Sequence, residues 1–343
     1  MKDDTKEIKE VLTEITGKVD PAIYELLTSS VEEKCQEIAK YQISCGGKRL
    51  RPALAIMSSD MLGGKLEDVL YPAASLEILH NATLIIDDII DNSDFRRNDP
   101  TVWKKYGTSM AECFSMDYVV SIFQGANKSS EREALTEIFA KTLKAIVDGE
   151  VADILFERSG REDEPFVVEH RYDIISKKDY FDMVGKKTAT LIQASCQVGG
   201  ICAGGSKEQL DALMDYGWGI GISFQLRDDI LDIFGDEKSF GKKIGKDIIK
   251  KKMGNIIVIL ALEELKKEDK KALLNILTSE GDIKDEDISE AIDIIKKTNA
   301  EDKAYDLSRK YVDDALKSLQ KLPQNESNQA LKDLAEFIIE RKH

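Results

Sequence analysis

Two acidic segments lie far apart in the chain and repeat one spacing. His80-Asn-Ala-Thr-Leu-Ile-Ile-Asp87-Asp88-Ile-Ile-Asp91 ends an apolar run in three carboxylates, and Phe224-Gln225-Leu226-Arg227-Asp228-Asp229-Ile230-Leu231-Asp232 does so again. On a helix, Asp87 and Asp91 stand one turn apart on one face, with His80 two turns earlier in nearly the same direction. Gln225, Asp228, Asp229 and Asp232 form a similar stripe. Like charges at this spacing repel, so their place among aliphatic residues needs a reason. A single cluster reads equally well as a solvated face. The repeated DDIxD turns the balance towards chemistry. Carboxylates one turn apart are hard oxygen ligands, and magnesium combines one or two of them with water and substrate phosphates. Two such helices facing one another could hold a diphosphate through bridging ions.

A diphosphate also calls for cations. Gly46-Gly47-Lys48-Arg49-Leu50-Arg51-Pro52 offers a flexible turn, three cations and a proline suited to the start of a helix. Arg96-Arg97 can cap the far end of the first acidic helix and make bidentate contacts, although a surface pair looks the same. Lys187-Thr188 and the stretch Gly241-Lys242 to Lys252 add cations in turn-rich or helix-starting contexts, with solvated charge as the plain reading of Lys250 to Lys252.

These groups need elements to carry them. Six prolines punctuate 343 residues, and apolar residues recur at three- and four-residue spacing, which predicts helices. Hairpin signals are scarce. Breaks are expected at Gly46-Gly47, Gly63-Gly64, Asn98 to Pro100, Ser159 to Pro165, Gly204-Gly205, Gly235 to Gly245 and Pro323 to Ser327. None reads as an interdomain linker, so residues 1–343 are expected to form one all-α domain. The last eighty residues read as amphipathic helices with solvated outer faces.

Bulk properties exclude several classes. A formal charge of -15 argues against nucleic-acid binding. Five cysteines without a CxxC pair, and three histidines, argue against structural zinc and fit a reducing cytoplasm. The longest aliphatic run, Ile256 to Leu262, is too short to cross a bilayer, and MKDDTKEIKE is charged where a signal peptide is apolar. A soluble protein is expected.

Taken in order, the Gly46–Pro52 loop, the DDxxD at 87–91, Arg96-Arg97, Lys187-Thr188 and the FQxxDDxxD at 224–232 resemble the trans-isoprenyl diphosphate synthases, the polyprenyl synthetase family. The likeness spans about residues 40–260, and HNATLIIDDIIDNSDFRR looks especially like geranylgeranyl diphosphate synthases of the eukaryotic kind. It implies the isoprenoid synthase fold, a helical bundle around a deep central cavity, and a homodimer, with the helix around Asp117 to Gln124 at its interface. It further implies that Asp87 and Asp91 hold two magnesium ions and Asp228, with Asp232 nearby, a third. Arg96, Lys187, Lys242 and Gln225 would grip an allylic prenyl diphosphate, with Lys252 and Thr188 closing around it. Isopentenyl diphosphate would rest on Lys48, Arg51, His80 and Arg97, although His80 also reads as an ordinary core histidine.

The implied chemistry is ionisation of the allylic diphosphate, attack by the isopentenyl double bond in a water-poor pocket, and proton loss to the released diphosphate. Three positions depart from the family pattern: Asn98 follows the arginine pair where glycine is usual, Gly254 stands for a threonine, and Met116 precedes Asp117 where glycine is common.

The resemblance also gives the prenyl tail a path along the first acidic helix towards its N-terminus. Thr83, Ala82 and Leu79 then set the pocket depth. Small residues at 83 and 82 leave the channel open, which points past farnesyl diphosphate to geranylgeranyl diphosphate, with longer polyprenyl products next. Leu76, Leu79, Met110 or Cys113 as a floor, or as ordinary packing, both stay open. A terpene cyclase of the same plan would need no Lys48/Arg51 loop, and a noncatalytic subunit of a heteromeric synthase would tolerate the loss of an acidic cluster that is complete here.

Overall fold

A computed structural model describes residues 4–158, 161–235, 245–279, 281 and 283–340. Its elements run α1 (Asp4–Thr28), α2 (Gln36–Ser44), α3 (Leu50–Met61), α4 (Leu66–Ile90), β1 (Phe95–Arg96), β2 (Asp99–Pro100), α5 (Val102–Tyr106), α6 (Thr108–Asn127), α7 (Arg132–Leu155), α8 (Pro165–His170), α9 (Lys177–Val184), α10 (Thr190–Cys202) and α11 (Lys207–Phe234). Further helices follow at Lys246–Ile249, Ile256–Glu264, Lys267–Leu277, Asp285–Ile295, Ala300–Leu319 and Glu326–Glu340. Among the described residues the only sheet is the antiparallel pair β1–β2, with Phe95 opposite Pro100 and Arg96 opposite Asp99.

The chain divides into two compact units. One holds 1–143, 191–217 and 317–334; the other holds 144–190, 218–316 and 335–343.

In the first unit α4 is the hub, packed against α1, α3 and α6. Its sequence explains this: from Val69 to Ala82 nearly every position is apolar or small, and the helix is buried almost all round. By length and composition α4 could cross a bilayer, but 67% of that stretch is buried inside the protein and the helix ends in carboxylates. It is therefore the core helix of its unit. A search for unbroken aliphatic runs passes over it because Ser75, His80 and Asn81 interrupt the apolar residues.

In the second unit that aliphatic run forms the helix Ile256–Glu264, with residues 256–261 buried at the centre of a cluster including Phe156, Tyr180, Leu226 and Ile230. Asn255 caps it by accepting the N–H of Ile257 at 2.9 Å. The helix α9 opens on a capping box, in which Ser176 and Asp179 each accept the other's backbone N–H. The expected outer faces are present: in Asp285–Ile295 the isoleucines at 288, 292, 294 and 295 are buried while Asp285, Glu286 and Glu290 are exposed. The predicted breaks at 46–47, 63–64 and 204–205 are turns or loops; of Asn98 to Pro100 only Asn98 lies in the turn, Asp99–Pro100 being β2, and of Pro323 to Ser327 residues 323–325 are loop while the last helix already begins at Glu326. Most of the 235–245 break lies outside the described residues.

Candidate active site

In the first unit, α4 carries Asp87 half-buried and ends so that Asp91 is its C-cap; the Asp91 N–H donates to the Asp87 carbonyl at 2.8 Å. The two carboxylates are thus one turn apart, as their spacing requires. Between them Asp88 points inward, 2% exposed, and accepts the Arg96 guanidinium on both oxygens at 2.8–3.0 Å. The β1–β2 hairpin that presents Arg96 and Arg97 is fastened at its base: the hydroxyl of Thr101 and the indole N–H of Trp103 both donate to the Ser93 carbonyl, and the Tyr41 hydroxyl donates to that of Pro100.

The Gly46–Pro52 loop meets this hairpin. The Arg97 guanidinium donates to the Gly46 carbonyl. Lys48 is exposed, and Arg49, the cation that sequence reasoning left unassigned, is buried as an internal strut on Asp20 at 2.7 Å and Glu77 at 3.5 Å. Arg51 points inward, its Nε without a hydrogen-bond partner, and burial holds its guanidinium down to about 10. Burial and the charges of Arg51, Arg97, Arg96 and Arg49 hold the His80 imidazole well below 6.5, so it is neutral. Arg51, His80 and Arg97 therefore form one basic concentration around a neutral imidazole. Leu79 and Ala82 are buried on the same helix, while Thr83 is half-buried with its hydroxyl on the His80 carbonyl.

In the second unit, the end of α11 carries Asp228 and Asp232 half-buried and Asp229 buried. The Tyr180 hydroxyl and the Ile256 N–H donate to one Asp229 oxygen and the Gln225 amide to the other, all within 2.9–3.0 Å. The Thr188 hydroxyl reaches Gln225 in turn at 3.1 Å. Burial first, then the Asp247 charge, pushes the Asp229 carboxyl well above the usual range. Asp232 accepts the N–H of Asp247 at 3.1 Å, which fixes the start of the next segment. Lys187 and Lys252 both reach Asp153 on α7. Lys242 lies outside the described residues. Of the groups that hold these side chains, Asp153, Tyr180 and Asp247 were missed; the acid of Val151-Ala152-Asp153-Ile154-Leu155, flanked by aliphatic residues like the DDIxD acids, was the available signal.

Among the described residues no three His, Cys, Asp or Glu side chains converge as a closed metal cage. Open pairs of hard oxygens such as Asp87/Asp91 fit magnesium, which retains positions for water and phosphate. An acidic groove of about 640 Å³ between the helices Lys267–Leu277 and Asp285–Ile295 is lined by none of these residues.

The Polyprenyl synthetase family model matches residues 32–295. The chain belongs to this family. A geranylgeranyl diphosphate synthase of Saccharolobus solfataricus is 36% identical, over 96% of each chain. Among solved structures, geranylgeranyl pyrophosphate synthetase from Pyrococcus horikoshii covers 98% of this chain and 99% of its own, at TM-score 0.87 and 30% identity. Polyprenyl synthase from Caulobacter crescentus, complexed with calcium and isoprenyl diphosphate, covers 98% of both at TM-score 0.85 and 26% identity. This polyprenyl synthetase accordingly has the all-α isoprenoid synthase fold and the activity of a trans-prenyltransferase.

The family name makes sense of its three departures. Asn98 has φ 70°, the left-handed region that glycine enters freely and asparagine tolerates. Gly254 is backed by the Phe156 ring, 2.6 Å from where a Cβ would stand, so a threonine would require that ring to move. Met116 is 67% exposed on α6 and meets no such limit.

Proposed function

We propose that this polyprenyl synthetase adds isopentenyl diphosphate to an allylic prenyl diphosphate and releases geranylgeranyl diphosphate. The observation that carries the reading is the pair of complete DDIxD motifs, accompanied by the Gly46–Pro52 loop and the arginine hairpin in one family match. In this reading Asp87, Asp91, Asp228 and Asp232 hold three magnesium ions on the allylic diphosphate. Bound magnesium supplies Lewis-acid charge to the leaving group. Arg96, Lys187, Lys242 and Gln225 orient that diphosphate, and Thr188 and Lys252 close around it. Lys48, Arg51 and Arg97 bind the isopentenyl partner, with His80 as a neutral hydrogen-bonding group that adds no further charge among arginines.

Leu79, Ala82 and Thr83 line the path of the growing tail. The small size of residues 82 and 83 and the geranylgeranyl diphosphate synthases among the relatives support the geranylgeranyl product. We also place the enzyme in the cytoplasm as a homodimer. The exposed Met116 and Val120 on α6, 67% and 56% accessible, support a covered apolar face there.

The test incubates purified protein with magnesium, labelled isopentenyl diphosphate and each allylic starter, then sizes the dephosphorylated products. Geranylgeraniol is expected, and Thr83→Phe should shift the product to farnesol. Absence of any elongated alcohol, or a cyclised hydrocarbon instead, refutes the assignment.

A further inference from the structure

A third carboxylate cluster stands at the end of α7, where Glu150 and Asp153 share a helix face and Glu157 follows two residues past the last turn. Asp153 is 7% exposed, and a single oxygen, Oδ2, accepts both Lys187 Nζ and Lys252 Nζ at 2.7 Å. Lys187 Nζ also lies 2.5 Å from Glu150, while Lys252 Nζ lies 4.0 Å from Glu157, which is paired with Arg161 at 2.8 Å.

Both lysines are brought there by their backbones. Lys187 sits in a π-helical turn, Gly185–Ala189, against which α7 presses so closely that a Cβ on Gly149 would stand 2.8 Å from the Lys187 Cα. Lys252 pairs in antiparallel fashion with Glu157, flanked by Arg158 N–H to the Lys251 carbonyl and Met253 N–H to the Phe156 carbonyl, each at 3.3 Å. Three chain segments therefore converge on one oxygen.

We propose that Asp153 is the positioning residue that gathers Lys187 and Lys252 onto one point and presents the two ammonium groups together to the allylic diphosphate. The inference rests on the functional reading above. Two neighbouring ammonium groups repel, and the shared carboxylate offsets that repulsion and keeps both protonated. An ammonium carries three donors, and Asp153 takes one from each. Burial alone would push the Asp153 carboxyl up; the two lysine charges and their hydrogen bonds outweigh it and hold the group well below the usual carboxylate range.

The test compares wild type with Asp153→Asn and Asp153→Glu in steady-state kinetics, each substrate varied separately, and in a 13C NMR titration of protein labelled at the lysine ε-carbon, which needs no turnover. Asp153→Asn is expected to raise KM for the allylic diphosphate about tenfold, leaving KM for isopentenyl diphosphate within about twofold. The alkaline limb of the allylic kcat/KM profile should move about one unit to lower pH, with two lysine resonances titrating correspondingly earlier.

Asp153→Glu keeps the charge, so its limb should stay in place while the displaced carboxylate raises the allylic KM about threefold; it carries the test if Asp153→Asn fails to fold. Unmoved lysine resonances and an unmoved limb, or equal losses on both substrates, overturn the inference. Wild-type protein that makes no prenyl diphosphate defeats the functional reading instead, and the lysine titration then decides Asp153 alone.

Discussion

The two DDIxD motifs share their letters but not the way they treat the middle carboxylate. Asp88 is neutralised by a cation, the Arg96 fork, which belongs to the proposed substrate-binding set. Asp229 has neutral donors instead: Tyr180, Gln225 and the first N–H of the helix Ile256–Glu264. In the first motif a buried charge sets the position of the Arg96 guanidinium; in the second a buried carboxyl ties together the elements around Gln225. The repeated motif thus leaves its outer acids half-buried in both copies and does two different things with its inner one.

The largest expected effect falls on what the motifs share. Asp87→Ala and Asp228→Ala should each lower kcat by on the order of a thousandfold, the several kcal/mol that metal-assisted stabilisation supplies, with the melting temperature nearly unchanged. Unequal losses would break the equivalence of the outer acids.

Next comes what they do not share. Arg96→Met removes the bidentate cation from the buried Asp88 and should destabilise the fold by about 3 kcal/mol, recovered on adding Asp88→Asn. Tyr180→Phe removes one of three donors to Asp229 and should cost about 1 kcal/mol. Urea unfolding of the set measures the contrast, and equal values would erase it.

The smallest effect concerns His80. The unfolded chain takes up a proton near pH 6.5 and the folded site does not, so stability falls as pH drops below 6.5 and is independent of this residue above it. His80→Gln should flatten that decline by about 1 kcal/mol between pH 6.5 and 5.5, read from denaturant midpoints. Binding of isopentenyl diphosphate should meanwhile show no His80 titration between pH 6.5 and 8.

The helical class, most of the breaks and the spacing of Asp87 and Asp91 were legible because each rests on local periodicity or turn chemistry. The outer acids were legible for a further reason: charge inside an aliphatic run is costly unless it has a use. What stayed hidden was long-range. Nothing local says that Arg49 turns inward to Asp20 and Glu77 while Lys48 stays exposed, or that Arg96 grips Asp88. Asp153 escaped because its partners lie 34 and 99 positions away. The dipeptide Lys187-Thr188 was visible, but the π-helical turn that aims it depends on the close approach of α7 at Gly149.

The central claim is that both acidic motifs act on one diphosphate. A crystal structure with magnesium and an unreactive allylic thiodiphosphate tests it most directly. Asp87, Asp91 and Asp228 should then ligate ions at about 2.1 Å, the ions sharing oxygens of a single diphosphate. Ions bound to one motif alone, with the other turned to bulk solvent, would contradict it.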